Sequence, residues 1–485
     1  MKKTRLKIIA GLLLIGIMSA CDSFFDINVS PNLAAAVPAR TLMASVTGSV
    51  GFHMGSDIHR FSSIYAQQFT GGGAAGTQTV EYSRYNVTAT DVNNVWRGAL
   101  YGNLLADLEQ LRLQTQETSP YYAGIAKILQ AYVFAIAVDA FGNVPYTEAL
   151  KFAGNTKPRY DDSRSIYDSL FGLIDAGIAD LRLTTSVFMP ATDDLIYAGN
   201  LSRWIRFANS LKIRMYVKYY PADAAFANAG IAALLADVNS TFISANTENF
   251  SQVFEALANR QNPIDQFERS RQSQFWPTTS IVDRMNATSD PRRTVYYRET
   301  SPGVFSGLAP GSQITSPSTS RMHTYLRGAT TSADPIIGYT GSQPLKMLTF
   351  AEHNFNLAEY YLRTSQIGLA QTAFQAGVTA SFADAGAALG TYITINGTLN
   401  ADPTIALRQI ITEKYIANYG VAMEPWSDWR RTGFPLLNPA VDAVLDVIPR
   451  ILPYSDLERV TNPENTPVRT TEDLKTSQVF WDPAN

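Results

Sequence analysis

Apolar residues recur three and four positions apart along much of the chain, which is the period of an amphipathic helix. In the stretch AGIAKILQAYVFAIAVDAFG the recurring residues are Ile125, Ile128, Leu129, Tyr132, Ala135 and Ile136. Gly142 follows the run and predicts its end. Similar patterns predict helices at 91–114, 163–182, 202–219, 348–366, 370–386 and 404–419. The predicted fold class is therefore mostly α, with helix pairs that resemble tetratricopeptide units.

Residues 260–347 interrupt this pattern. They are rich in Gly, Pro, Ser, Thr and aromatic residues, and they show little helical period. We therefore predict a loop-rich insertion at about 260–347. Because binding residues concentrate on loops supported by a rigid scaffold, we expect the ligand-binding region here.

The N-terminus has the form of an export signal. Its basic residues are Lys2, Lys3, Arg5 and Lys7. Ile8–Met18 follow as an apolar core, shorter than the ~20 residues that span a bilayer. Ser19 and Ala20 then precede Cys21, an arrangement that resembles the bacterial lipoprotein signal. We predict a signal peptide at 1–20 and a Cys21 that carries two lipid groups, a diacylglyceryl thioether and an amide-linked palmitate-like chain. The alternative is a plain secretory signal cleaved near Ala20.

Composition limits the partners of the remaining chain. Removal of residues 1–20 takes away four basic residues and shifts the net charge from −3 to about −7, whereas a nucleic-acid partner would favour a basic surface. Cys21 is the single cysteine, so an intrachain disulfide is excluded. We predict an extended arm at 21–39, with Pro31 and Pro38 as helix breakers, and a single domain at 40–485.

Motifs for catalysis or metal binding are weak. The four histidines are His53, His59, His323 and His353. They form no H-E-x-x-H motif, and the first two are six residues apart, which does not place them on one helical face. Acid pairs such as Asp193 and Asp194 adjoin turn residues, whereas a glycosidase needs two carboxylates that face each other across a cleft. We therefore predict no enzyme activity, no metal site and no cofactor.

Aromatic residues are the remaining candidates for binding, with 24 Tyr, 24 Phe and 6 Trp. Flat rings with polar rims suit sugar rings or peptide side chains. Rings on helical stripes, such as Trp96, Tyr101 and Trp204, are expected in the core. The candidates for ligand contact in the loop-rich region are Phe275, Trp276, Tyr296, Tyr297, Phe305, Tyr325 and Tyr339.

Several stretches together resemble the SusD/RagB family of outer-membrane lipoproteins from Bacteroidetes, in its SusD-like subgroup. In family order they are CDSFFDINVSPN, VDAFGNVPYTEAL, RYDDSRSIYDSL, DLIYAGNLSRWIRFANSLKIRMYVKY, MNATSDPRRTVYY, LTFAEHNFNLAEYYLR, ITEKYIANYGVAMEPWSDWRRTGFP, VIPRILPYSDLERVTNP and VFWDPAN. The ordered set extends from Cys21 to Asn485.

The resemblance implies a helical surface lipoprotein that captures an oligosaccharide. It would act as a hinged lid that delivers the ligand to a SusC-like TonB-dependent transporter, anchored in the outer membrane and facing the cell exterior. A peptide ligand is the first alternative, and a surface adhesin or an anchored glycoside hydrolase are more distant ones. Family members exported to the surface usually carry acidic residues soon after the Cys, and here only Asp22 and Asp26 stand in that place.

The motifs that carry this resemblance also have structural interpretations. In WSDWRRTGFP, Trp426 and Trp429 lie three apart and predict one face of a helical turn. Arg430 and Arg431 supply guanidinium groups that stack on rings or pair with carboxylates. We interpret this segment as scaffold and not as a ligand site.

Overall fold

The computed structural model of the protein describes residues 37–74, 76–313, 318–476 and 479–484. The predicted signal peptide, Cys21 and most of the predicted arm lie outside these residues. Those predictions therefore rest on the sequence.

The first half of the described chain consists mainly of long helices. Their bounds are α1 Ala39–Met54, α2 Asp57–Tyr65, α3 Gln78–Ser83, a π-helix Asn94–Leu105, α4 Ala106–Thr115, α5 Pro120–Phe141, α6 Ser163–Leu181, α7 Leu201–Lys218 and α8 Ala224–Ala236. Short 3-10 turns follow at Phe152–Gly154 and Asn246–Glu248.

The second half alternates short and long helices. Their bounds are α9 Pro263–Ser270, α10 Thr279–Ala287, α11 Arg293–Tyr296, α12 Thr324–Arg327, α13 Phe350–Arg363, α14 Ile367–Ala385, α15 Tyr392–Asn396, α16 Pro403–Ala417, α17 Glu424–Thr432, α18 Asp456–Thr461 and the 3-10 helix Glu472–Lys475. The strands are β1 Phe69–Gly71, β2 Phe250–Gln252, β3 Phe275–Pro277 and β4 Leu345–Leu348. The prediction of a mostly α fold is confirmed.

The periodic segments are helical, with one difference in helix type. The segment predicted at 91–114 begins as a π-helix and continues as α4. Gly98 and Gly102 lie within the π-helix, where they lower the α-helical propensity. A π-helix of this length is rare, and π-helical turns occur often at functional sites.

Helix starts follow local capping chemistry. The Asp162 carboxylate accepts hydrogen bonds from the backbone amides of Arg164 and Ser165 at the start of α6. Asp402 accepts from the amides of Thr404 and Ile405 at the start of α16. These acidic caps satisfy amides that have no partner within the helix.

Helix α5 lies at the centre of the main hydrophobic cluster. It is long and apolar enough to span a bilayer, but 94% of its most apolar window is buried within the protein. It pairs with α6 at close range: a Cβ added at Gly124 would lie 2.8 Å from the carbonyl oxygen of Gly177. Glycine at this crossing lets the two helix backbones approach each other.

A second hydrophobic cluster lies between α13, α14, α15 and α16. Phe355, Phe374 and Ile410 are fully buried in it. Trp204 and Trp96 lie in the main cluster, as predicted for rings on helical stripes, and Tyr101 packs half-buried against it.

Two small antiparallel sheets connect distant parts of the chain. Strand β1 pairs with β3, with Phe69 opposite Pro277 and Gly71 opposite Phe275. Strand β2 pairs with β4, with Phe250 opposite Leu348. The first sheet therefore ties the loop-rich region to the segment that follows α2. The second sheet ties residues 250–252 to the strand that precedes α13.

The WSDWRRTGFP segment is scaffold, as predicted. The Arg430 guanidinium lies 3.9 Å from the centre of the Trp426 ring and 4.6 Å from that of Trp481. Arg450 pairs with Asp482 at 2.5 Å. The C-terminal segment is thereby joined to α17 by stacking and by charge.

A buried ion network joins α5, α7, α13 and α17. Arg214 pairs with Glu352 at 2.6 Å, and Lys218 pairs with Asp139 at 2.5 Å and with Glu424 at 2.8 Å. These side chains are between 0% and 3% exposed. Each charge is compensated by a partner from another helix, which buried charges require.

The network continues from α13 through α17 to α16. Arg431 pairs with Glu359 at 2.6 Å and with Asp428 at 2.7 Å, and Lys414 pairs with Asp428 at 2.9 Å. Burial alone would raise the pKa of Glu359, but the guanidinium groups of Arg431 and Arg363 outweigh burial and lower it to about 2.

Substitution Glu359→Gln tests this network. It leaves Arg431 buried without its main carboxylate, so we expect a loss of about 3–5 kcal/mol in the free energy of unfolding at pH 7. Because the folded pKa of about 2 lies below the ordinary value of 4.5, the stabilisation by Glu359 is complete above pH 4.5 and declines as the pH falls toward 2. The variant should lack this part of the acid dependence.

Denaturant titrations at several pH values measure both effects. Glu464→Gln is the control, because Glu464 is 74% exposed and pairs with Lys157 at 3.4 Å. We expect it to change stability by less than ~1 kcal/mol. Equal losses in the two variants would contradict the assigned role of Glu359.

Candidate ligand-binding site

The aromatic residues predicted to bind ligand lie in the protein interior. Their exposed fractions range from 0% to 6%. They are Phe275, Trp276, Tyr296, Tyr297, Phe305, Tyr325 and Tyr339. Contact between these rings and a ligand remains a prediction.

Phe275 and Trp276 lie on β3. The Phe275 ring stacks on Phe69 of β1, with centroids 4.4 Å apart. The Trp276 indole donates a hydrogen bond to the Ser273 carbonyl at 2.9 Å, and the Arg321 guanidinium covers the ring at 4.5 Å. Protein groups therefore occupy the faces that a ligand would need.

The tyrosines form a stack within the core. Tyr296 lies 4.8 Å from Tyr419 and 4.4 Å from Tyr325, measured between ring centroids. The Lys346 ammonium group lies 3.7 Å from the centre of the Tyr325 ring. Tyr297 meets Tyr419 edge-on at 5.5 Å.

Arginines also cover the remaining two rings. The Arg293 guanidinium lies 5.3 Å from the Phe305 ring centre, and that of Arg327 lies 4.2 Å from Tyr339. The Tyr339 hydroxyl is hydrogen-bonded to Nδ1 of His323 at 2.9 Å.

A cavity of about 760 Å³ opens where α1 turns into α2, beside the π-helix and α9. This volume is within the usual range of small-molecule sites. Its lining combines two phenylalanines, side-chain amides and charged groups. The lining residues used below are Phe52, His53, Asp57, Arg60, Asn94, Gly98, Asn259, Gln261, Pro263, Gln266, Phe267 and Arg269.

Gly55 permits the α1–α2 corner to approach α9. A Cβ added at Gly55 would lie 2.5 Å from Cγ of Pro263 and 3.0 Å from Cδ1 of Leu345. Real Cβ atoms do not approach that closely, so the corner must be a glycine at this spacing.

Asn262 fixes the start of α9 at the cavity wall. Its Oδ1 accepts a hydrogen bond from the Ile264 amide at 2.9 Å, which caps the helix. Its Nδ2 donates to the Gln343 carbonyl at 2.9 Å, and its backbone amide donates to the Gly341 carbonyl at 2.7 Å. These bonds hold α9 against the irregular segment that precedes β4.

The cavity has two aromatic surfaces, one on α1 and one on α9. Phe52 is 44% exposed and meets the His53 ring at 5.7 Å with an interplanar angle of 74°. Phe267 is half-buried, and the Arg60 guanidinium lies 4.4 Å from its ring centre. Phe275 supports Phe267 from the core, with centroids 5.9 Å apart.

Side-chain amides supply the hydrogen-bonding groups. Asn94 and Asn259 are exposed, and Gln261 and Gln266 are half-buried. The Gln266 amide donates to the Gln261 carbonyl at 2.5 Å. Each amide side chain has both donors and acceptors, which match the hydroxyl and acetamido groups of sugars.

The charged side chains at the cavity form ion pairs, and the histidine ring there is uncharged. Asp57 forms an ion pair with Arg60, and Arg269 pairs with Asp265. Burial lowers the pKa of Arg60 to about 10, which leaves the guanidinium protonated at neutral pH. Burial also lowers the pKa of His53 to about 4, so its ring is neutral. The wall therefore favours a ligand without formal charge.

The histidines have separate surroundings. His59 is fully buried next to Phe69 and Phe275, and burial lowers its pKa to about 3. His353 stacks against Phe242 at 5.4 Å. Within the ranges that the structure describes, no group of three or more His, Cys, Asp or Glu residues is placed to hold a metal ion.

Sequence reasoning missed Phe52 and Phe267. For Phe52 a signal exists, because Met43, Val46 and Val50 lie on the buried stripe of α1 and Phe52 lies off it. No comparable signal separates Phe267 from the other rings of its region. It lines the same cavity as Phe52 only through tertiary packing.

The family comparison agrees with the sequence resemblance. Residues 31–454 match the SusD-like family model described as "Starch-binding associating with outer membrane". The chain belongs to this SusD-like family. No curated protein matches the chain significantly.

Solved structures show the same fold. A chitin-binding SusD homolog from Flavobacterium johnsoniae has a TM-score of 0.75 and 20% identity, covering 92% of this chain and 98% of that chain. A SusD/RagB family protein from Bacteroides thetaiotaomicron has a TM-score of 0.73 and 20% identity, with coverages of 93% and 100%. A SusD homolog from Bacteroides uniformis has a TM-score of 0.70 and 22% identity, with coverages of 88% and 94%.

Substitution Gly55→Ala tests the packing of this SusD-like cavity. The methyl group must displace Pro263, so we expect the free energy of unfolding to fall by about 1–3 kcal/mol. Gly98→Ala is the control, because Gly98 lines the same cavity and an added Cβ meets no atom within 4 Å. Thermal and denaturant unfolding measure the difference. Equal stability of the two variants would show that the corner does not need glycine.

Proposed function

We propose that this protein is a surface nutrient-binding lipoprotein that captures an oligosaccharide in the cavity between Phe52 and Phe267. It then acts as a hinged lid that delivers the ligand to a SusC-like TonB-dependent transporter. The observation that supports binding is the cavity itself, in which two aromatic surfaces are combined with side-chain amides and paired charges. The role is binding and conformational change, without a catalytic step.

A neutral glycan fits this cavity better than a charged ligand. Exposed Phe52 offers a face for a sugar ring, and Asn94 and Asn259 offer donors and acceptors at the rim. The family description names starch, and the F. johnsoniae structure is described as chitin-binding. Peptides are the alternative ligand. Peptide termini and charged side chains would need unpaired charges, whereas Arg60 and Arg269 already have carboxylate partners.

The N-terminal sequence and the family support a proposal for the cellular location of the protein. The basic and apolar segment before Cys21 supports export and lipidation, and the family description supports association with the outer membrane. We infer that the lipid-anchored protein faces the cell exterior, where an oligosaccharide and a transporter mouth are both accessible. The acidic net charge gives no support for a nucleic-acid partner.

Two of the seven predicted aromatic residues contact residues of the cavity wall. Phe275 packs behind Phe267, and the Arg269 guanidinium donates to carbonyl oxygens of Tyr339 and Ile337. These contacts support α9 at the wall of the cavity, and we infer that the buried rings can meet a ligand only if the region opens.

Substitution Phe52→Ala should weaken oligosaccharide binding. Loss of an aromatic anchor in a binding site typically costs ~1–2 kcal/mol, so we expect an increase in Kd of about 5-fold to 30-fold. Isothermal titration with the hexamer of N-acetylglucosamine and with maltoheptaose measures this change. Phe152→Ala is the control, because Phe152 is 46% exposed and lies outside this cavity.

If Phe52→Ala and Phe152→Ala both bind one of these sugars as the unchanged protein does, the sugar binds outside this cavity. A lack of binding to both sugars, with saturable binding of a mixture of short peptides that Phe52→Ala abolishes, would support the peptide alternative. Hydrolysis of the added sugar would contradict a purely binding role.

A pull-down from native outer membrane tests the transporter. The proposal expects a TonB-dependent barrel to co-purify with the protein in mild detergent at a fixed ratio. Recovery of the protein alone under these conditions would contradict the lid mechanism and would favour an adhesin.

A further inference from the structure

The loop between α6 and α7 exposes several large apolar side chains. We call residues 183–195 the apolar loop. Its exposed residues are Leu183 at 53%, Val187 at 70%, Phe188 at 41%, Met189 at 54% and Leu195 at 45%. Three of them are consecutive in sequence. Contiguous exposed apolar groups of this kind mark sites of interaction with proteins or membranes.

Backbone hydrogen bonds hold the apolar loop in place. The Val187 amide donates to the Thr118 carbonyl at 2.9 Å, and the Phe188 amide donates to Oγ of Ser119 at 3.2 Å. The Tyr121 hydroxyl donates to the Leu183 carbonyl at 2.7 Å. The loop is thus fixed to the corner between α4 and α5, and its side chains are held outward and do not collapse onto the core.

The acid pair Asp193–Asp194 also holds the apolar loop in place. Asp194 is buried and accepts hydrogen bonds from the Trp204 indole at 2.8 Å and from the Gly199 amide at 2.9 Å. Asp193 accepts from the Tyr122 hydroxyl and from the Ala191 amide. These carboxylates therefore hold the loop and are not arranged as a catalytic pair across a cleft.

The apolar loop lies beside α1, the first described helix. The Leu195 amide donates to Oγ1 of Thr47 at 3.2 Å, and Cδ1 of Leu195 lies 3.3 Å from the Cβ position of Gly48. Arg40 in the first turn of α1 interacts with the Tyr122 hydroxyl. The described chain begins at residue 37, and a segment of about 16 residues back to Cys21 spans at most about 55 Å.

We propose that the apolar loop inserts into the lipid surface of the outer membrane and sets the orientation of the tethered protein. Two features favour lipid as the occupant: the side chains are large and uncharged, and the loop packs against α1, the first described helix after the predicted tether. The inference rests on the proposed lipid anchor at Cys21. A lipid anchor alone leaves rotation free, whereas a second apolar contact restricts it.

Site-directed labelling tests this proposal in the full lipidated chain. The mature chain has no cysteine other than Cys21, whose thiol is consumed by the lipid. Single variants Val187→Cys and Met189→Cys therefore accept a thiol-reactive fluorophore specifically. Val460→Cys and Ile395→Cys are controls, because Val460 is 78% and Ile395 is 72% exposed outside the loop.

Each labelled protein is reconstituted into phospholipid vesicles that contain a lipid-borne quencher and lack the transporter. We expect quenching at positions 187 and 189 to exceed that at 460 and 395 severalfold. Substitution of Phe188 by Ser in the labelled variants should reduce the quenching without changing flotation of the protein with the vesicles.

Three outcomes would overturn the inference. Flotation with equal quenching at all four positions means that the loop has no preferred contact with lipid. Flotation without quenching at 187 and 189, but with shielding from aqueous iodide after addition of the purified transporter, assigns the loop to the transporter. If no variant floats with the vesicles, the protein has no lipid anchor. In that case the proposed anchoring at Cys21 is wrong, and the inference fails with it.

Discussion

The buried ion network between α5, α7, α13, α16 and α17 is the constraint on which the fold depends. Its cations are Arg214, Lys218, Lys414 and Arg431, and its anions are Asp139, Glu352, Glu359, Glu424 and Asp428. Buried charges are stable only when their partners are in place, so the helices must meet in one register. This requirement connects the main hydrophobic cluster to the second one, because α13 and α16 contribute to both.

The same principle governs the loop-rich region. Arg321, Arg327, Arg293 and Lys346 each lie over an aromatic ring, and three of them also pair with carboxylates. A region without helical period is therefore ordered by cation–ring contacts and ion pairs. These contacts cover the faces of the rings, whereas Phe52 is 44% exposed at the cavity. Phe267 is half-buried, and Arg60 lies over its ring as the other arginines lie over theirs.

Helix α1 connects the two surfaces to which we assign functions. Thr47 and Gly48 contact the apolar loop near the point where the tether enters, and Phe52 lines the cavity less than two turns further on. Orientation of the apolar loop at a lipid surface thus also orients the cavity. A lid that hands a ligand to a transporter requires such a fixed direction, and a flexible tether alone does not provide it.

The sequence by itself determined the helical class, the helix positions, the scaffold motifs and the family, because periodicity and capping are local and the ordered motifs extend over the chain. It also contained a signal for Phe52, which lies off the buried stripe of α1. Exposure of the other rings was decided only by tertiary structure. Trp276 and Tyr325 lie in a loop-rich segment, yet Arg321 and Lys346, which come 45 and 21 residues later in the same segment, cover them. Composition reports which side chains are present, whereas packing between residues far apart in sequence decides which of them meet solvent.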